Sequence, residues 1–159
     1  MLPFALLLGL SGFARIVPEQ PCEERALSTY PVPRRYSLDA ILEAVRAIET
    51  GGETNGGRDA IGDGGRAIGP YQIHRAYFVD AGVAGRYDDC RDPDYSRRVV
   101  LAYWTRWCPD ALEHGDAEVL ARTHNGGPEG ARKPGTLVYW LKVEERLVTL
   151  PIPSRGAGG

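Results

Sequence analysis

From Ser37 to Gly52 the segment SLDAILEAVRAIETGG places Leu38, Ile41, Leu42 and Val45 on one face of a helix, at about 100° per residue. Ser37 suits the N-cap, Asp39 gives an acidic first turn, and Gly51 and Gly52 can end the helix. Glu49 falls near the centre of the apolar face, in the last turn. Burial and the negative end of the helix dipole both disfavour its ionised form, which suits a general acid at neutral pH. The plain alternative is a Glu49 side chain tilted out to solvent by the glycines, or held by an arginine.

Residues 51–69 contain eight glycines, which deny that stretch a helix and supply tight turns. Ala60-Ile61-Gly62 and Arg66-Ala67-Ile68 flank Asp63-Gly64-Gly65, a pattern that predicts a short β-hairpin with Asp63 at its tip or on the adjoining strand. HRAYFVDAG then reads as a short helix stopped by Gly82, with Ile73, Tyr77 and Phe78 available for packing. In YSRRVVLAYWTRW, Val99, Tyr103 and Trp107 share a helical stripe that Pro109 closes. Asp116 caps AEVLARTHN, which exits through Gly126-Gly127-Pro128, and Thr136 caps LVYWLKVEERL, with Leu137, Trp140, Leu141 and Glu144 along one side. Gly62-x-Gly64-x-x-Ala67 matches the loose dinucleotide fingerprint, but no apolar strand precedes it and no long helix follows, so it does not read as a phosphate cradle.

The chain of 159 residues, 43% hydrophobic and 25% charged, has the composition of one globular domain, placed at 36–150. Residues 1–14 carry no charge, and their apolar run Leu2 to Leu10 has the length of a signal-peptide core but lacks a basic n-region. Residues 15–35 hold four prolines and read as an extended linker, and 151–159 as a disordered tail. A net charge of -2, with scattered arginines, gives no reason to expect a nucleic-acid partner. The apolar run is too short to span a bilayer, so a secreted or periplasmic protein, monomeric and without a membrane span, is expected. Of three cysteines, Cys22, Cys90 and Cys108, a Cys90–Cys108 disulfide is the favoured pairing, because both lie inside the structured region. No Cys/His spacing suggests a metal, and no cofactor is implied.

Four stretches in order carry a specific signal: Ile48-Glu49-Thr50-Gly51; Gly69-Pro70-Tyr71-Gln72-Ile73 followed by Ala76-Tyr77; Ala121-Arg122-Thr123-His124-Asn125-Gly126-Gly127-Pro128; and Thr136 with Tyr139-Trp140. Together they resemble the invertebrate-type (destabilase-like) lysozymes. The resemblance covers about 100 residues, Ala44 to Glu144. It implies an α+β, mainly helical lysozyme-like fold with a small Gly-rich β-hairpin lobe and a glycan cleft between the two. It also implies an enzyme that cleaves β-1,4 bonds of peptidoglycan or a chitin-like glycan. The family's catalytic glutamate matches Glu49 and its second carboxylate matches Asp63 best, with Asp59 as competitor. Two departures stand out. The family is usually rich in disulfides, and Thr50-Gly51-Gly52 stands where members commonly carry Ser-Gly-Cys.

The chemistry of the residues is consistent with that implication. Glycoside cleavage needs one protonated carboxyl for the leaving oxygen and one ionised carboxylate to stabilise or attack the anomeric carbon or to activate water. Glu49 has the environment of the first, and Asp63, on a wet hairpin, that of the second. Tyr71, Gln72, His124, Asn125 and Gly126 offer polar groups beside glycines, where a sugar chain can approach the backbone closely; each also has a plainer reading as a core or capping residue. Three rivals remain open: a lytic transglycosylase using Glu49 alone, an isopeptidase side activity, and a glycan-binding module without turnover.

Overall fold

The computed structural model describes residues 36–150 except 52 and 54; the expected signal segment, linker, tail and Cys22 lie outside the described residues. Helix α1 (Leu38–Thr50) starts where expected, with the Ser37 hydroxyl accepting from the Ala40 N–H. Its Ile41, Leu42, Ala44 and Val45 are buried. After a glycine-rich turn come three two-residue strands, β1 (Ile61–Gly62), β2 (Ala67–Ile68) and β3 (Ile73–His74), then α2 (Arg75–Ala81). A 3-10 turn over Tyr87–Arg91 leads into α3 (Pro93–Trp107), followed by α4 (Pro109–His114), α5 (Ala117–Gly126) and α6 (Leu137–Thr149).

The expected hairpin forms, and a third strand joins it. β1 and β2 pair antiparallel with Ile61 opposite Ile68, and β2 pairs antiparallel with β3 with Ile68 opposite Ile73. Ile73–His74 is too short to show alternation, so its sequence reads only as a helix approach. The β1–β2 connection is Asp63-Gly64-Gly65, three successive residues at φ 47, 63 and 93°. Glycine reaches that left-handed region without steric cost, whereas Asp63 does so against its Cβ.

α1 packs on α5 and α6, and α2 lies along α3, which in turn meets α4 and α5. The core between them centres on Trp104, Ile41, Leu42, Leu120, Val99 and Val100, all fully buried. Two expected stripes are displaced. On α3 the buried positions are Tyr95, Ser96, Val99, Val100, Tyr103 and Trp104, while Trp107 is 38% exposed. The helix starts at Pro93, capped by Asp92, and ends at Trp107, which leaves that side chain at the rim beside a new helix; Pro109 is the first residue of α4 as well as the end of α3. On α6 the inward row is Trp140, Val143 and Leu147, continuing from the buried Thr136 just before the helix, whereas Leu137 and Leu141 are about half exposed and Glu144 is exposed. A single helix with two adjacent apolar rows gives no internal reason to bury one rather than the other, and contact with both α1 and α5 decides it.

The favoured disulfide is not made. Cys90 is a fully buried free thiol in the Tyr87–Arg91 turn, and Cys108 is a second, partly buried one at the α3–α4 junction, held by Thr123. Shared membership of the structured region does not bring two cysteines within bonding geometry.

Several contacts fix the lobe to the rest of the fold, among them two in the connection between its second and third strands. Thr50 Oγ1 donates to the Pro70 carbonyl at 3.2 Å, tying the end of α1 to the strand connection. Gly69, at φ 74°, lies so close to the Cys90 carbonyl that an added Cβ would stand 2.0 Å from its oxygen. Gly69→Ala combines a backbone clash with an unfavourable φ and is expected to cost at least about 2 kcal/mol, measured as a lower urea midpoint at unchanged slope.

Candidate functional site

Glu49, in the last turn of α1, faces a cleft of about 240 Å³, which is lined by Glu49, Asp63, Ala67, Gln72, His74, Tyr77, His124 and Asn125. Its side chain is 18% exposed, and burial raises its pKa above the ordinary carboxylate value. A hydrogen bond from Tyr139 opposes that rise: the phenol donates to Glu49 Oε1 at 2.7 Å. His124 Nε2 stands 3.6 Å from the same oxygen. Among the described residues, Oε2 has no hydrogen-bond partner.

The His124 side chain is 4% exposed, and burial lowers its pKa to about 4, so the ring is neutral near pH 7. Its tautomer follows from its partners. The Tyr71 carbonyl, 3.2 Å from Nε2, can only accept, so Nε2 carries the hydrogen and Nδ1 accepts from the Tyr77 hydroxyl at 3.2 Å. The Tyr77 ring is in turn stacked on Tyr103, with centroids 3.6 Å apart. The contact between His124 and Glu49 is therefore that of a neutral imidazole N–H near a carboxyl oxygen, and an ion pair in geometry only.

His124 makes stability depend on pH with a definite sign. The unfolded ring takes up a proton near pH 6.5, whereas the folded ring refuses it until about pH 4. Stability from this group is complete above 6.5 and declines as pH falls toward 4, by at most about 3 kcal/mol. NMR titration of the imidazole should find it neutral at pH 5.5, and chemical unfolding should show the decline between pH 6.5 and 4, reduced in His124→Gln.

Asp63 reaches the cleft from the β1–β2 turn. Its side chain is 46% exposed, with Arg66 Nη2 2.7 Å from Oδ1 and His74 Nε2 3.6 Å from Oδ2. Asp59, the competitor, is exposed outside the cleft lining and accepts from Asn55 Nδ2 at 2.6 Å. Gln72, at φ 46°, is the other non-glycine residue with positive φ among the described residues. Its amide donates to the Gly69 carbonyl at 3.0 Å, and its Oε1 presses on Gly62, the residue before Asp63. Both strained residues therefore sit in the cleft wall, where backbone strain is commonly stored at functional sites.

The structure brings Glu49, Asp63, Gln72, His124 and Asn125 into one cleft and leaves Tyr71 and Gly126 out of its lining. The Tyr71 side chain is 4% exposed in the core, where burial pushes its phenol up to about 12; only its carbonyl serves the site. Gly126 packs against Thr136 Cγ2, with its carbonyl taken by Lys133. Three functional neighbours, Tyr139, Tyr77 and His74, carry no site role in the sequence reading. A tyrosine beside the buried face of a helix needs a partner for its hydroxyl, and that need is the signal that would have flagged Tyr139. Among the described residues, no group of three or more His, Cys, Asp or Glu side chains is arranged to hold a metal ion.

A mostly buried carboxyl with a raised pKa thus faces a cleft that also holds an exposed carboxylate. The chain is 30% identical over 117 residues to invertebrate-type lysozyme 6 of Caenorhabditis elegans, an alignment covering 66% of this chain and 83% of that protein. This chain belongs to the invertebrate-type lysozyme family. Another member, the lysozyme of Ostrea edulis, is 37% identical over 87 residues, 52% of this chain and 63% of its own. The chain thus spans about three fifths of the length of the oyster lysozymes it matches, 63% in Ostrea edulis and 60% in Magallana gigas. The crystal structure of Tapes japonica lysozyme superposes with a TM-score of 0.56 at 26% identity, covering 81% of this chain and 100% of that one. The α+β architecture read from the sequence is that of these family members. No family model matches the chain.

Proposed function

We propose that this protein is a lysozyme-type glycoside hydrolase that cleaves β-1,4 bonds of peptidoglycan, with Glu49 as general acid and Asp63 as its carboxylate partner. The observation that carries the reading is Glu49 itself: a mostly buried carboxyl with a raised pKa, facing the same cleft as the half-exposed Asp63. In the reaction, the Oε2 proton passes to the glycosidic oxygen as the bond to the anomeric carbon breaks, so the leaving sugar departs as an alcohol. Positive charge then develops on the ring, and Asp63 either stabilises it, attacks the anomeric carbon or activates water. Gln72 and Asn125, both in the cleft lining, offer side-chain amides to hydrogen-bond the glycan. Membership of a family whose relatives are named lysozymes supports the substrate class.

Such a target lies outside the cytoplasm, which agrees with an exported protein, and no helix among the described residues is long and apolar enough to cross a membrane. Mass spectrometry of muropeptides after incubation with the purified protein tests the reading directly. Reducing ends establish hydrolysis. Anhydro ends would transfer the activity to a transglycosylase in which Glu49 acts alone, and intact glycan would leave a binding module.

A further inference from the structure

Glu49 is approached from behind as well as from the cleft. Tyr139 does not line the cleft; it extends from α6 and donates to Glu49 Oε1 at 2.7 Å, one of the longest-range side-chain contacts of the fold, 90 residues apart in sequence. We infer that Tyr139 is a positioning residue of this site, whose hydroxyl occupies Glu49 Oε1 and so confines the transferable proton to Oε2. The inference rests on the proposed role of Glu49 as the acid. A carboxyl with two equivalent oxygens divides its proton between them, and only one position can serve a given glycosidic oxygen. A fixed donor on one oxygen removes that ambiguity without touching substrate.

The donor is constant across the working range. Burial, and then the neighbouring Glu49 charge, push the Tyr139 phenol well above its ordinary value, so it keeps its proton. The other groups facing Glu49 do not substitute for it. His124 on α5 is neutral above about pH 4 and stands 3.6 Å away; Tyr77 on α2 donates to His124; Asp63 and His74 belong to the lobe across the cleft; Arg46 of α1 is engaged by Glu43. The hydrogen bond also stabilises the carboxylate and holds down a pKa that burial raises.

Tyr139→Phe removes the hydroxyl and keeps the ring. The expected result on a soluble peptidoglycan oligomer is a kcat lower by about tenfold or more, KM within about twofold, and an alkaline limb of the pH profile moved upward by about half a unit or more. A residue that only packs would lower Tm or kcat and leave that limb in place, and an unmoved limb overturns the inference. If the phenylalanine variant does not fold, 2,3-difluorotyrosine at position 139 decides: a more acidic phenol donates more strongly, so the alkaline limb should move downward, and an unmoved limb again overturns it. Glu49→Gln separates the two levels. If it stays active, the acid assignment and this inference both fall; if it is inactive and the limb ignores position 139, only the inference falls.

Discussion

Glu49→Gln is expected to lower lytic turnover by about 10²- to 10⁴-fold while leaving the fold intact, because glutamine keeps the shape and the Tyr139 contact but cannot donate the proton. Turbidity clearance of cell walls and release of soluble fragments measure the loss, and near-normal clearance would remove Glu49 from the mechanism. The same variant should be more stable than the parent at neutral pH. A carboxyl whose folded pKa lies above its unfolded value favours folding most when protonated, below the unfolded value near 4.5, and that contribution is lost as pH rises through the raised folded value. Glutamine, always neutral, does not suffer the loss. The two proteins should therefore melt alike near pH 4 and diverge above it, with the glutamine variant ahead. An activity loss with a gain in neutral-pH stability is the pairing expected of a strained catalytic acid, and a core residue would lose both.

Asp63→Asn carries the second large effect, a fall of about 10²-fold or more if its carboxylate meets the positive charge of an oxocarbenium-like transition state. Asp59→Asn should change turnover little, because Asp59 is bound to Asn55 outside the cleft. Stability should hardly move with Asp63→Asn, since the Arg66 pair it breaks is solvent-exposed on both sides and such pairs contribute at most about 1 kcal/mol. Full activity of Asp63→Asn, with anhydro products, is the outcome that would assign the chemistry to Glu49 alone. The existing pairing of Asp63 with Arg66 makes this experiment worthwhile, because substrate must compete with a guanidinium for the carboxylate or approach while it remains bound.

Local rules sufficed for α1: a serine cap, an apolar face and terminal glycines are all information within sixteen residues, and they put Glu49 in the last turn, where it is partly buried and lines the cleft rather than the core. The Asp-Gly-Gly turn was legible for the same reason. What the sequence did not show depends on contacts made at long range. Which apolar row of α6 turns inward is settled by α1 and α5, and with that choice goes Tyr139, whose partner lies 90 positions earlier. Tyr71 was readable as polar and glycine-flanked, yet its side chain fills the core and only its carbonyl reaches the site, because the left-handed backbone at Gly69 and Gln72 redirects the chain around it. Cys90 in the Tyr87–Arg91 turn and Cys108 at the α3–α4 junction share one fold but remain unbridged, because disulfide geometry depends on how distant elements pack and no local pattern encodes it.

Those two unbridged cysteines change what can be done with the protein. Among the described residues no fold contact depends on oxidised sulfur: packing around Trp104, the Thr50–Pro70 clasp and the Gly69–Cys90 approach hold the cleft together. The described residues make their fold without a disulfide, so expression in an ordinary reducing cytosol should yield that part folded. The buried Cys90, whose thiol burial holds at about 12, resists alkylation while the fold stays closed, which makes its labelling a built-in clock for opening of the lobe.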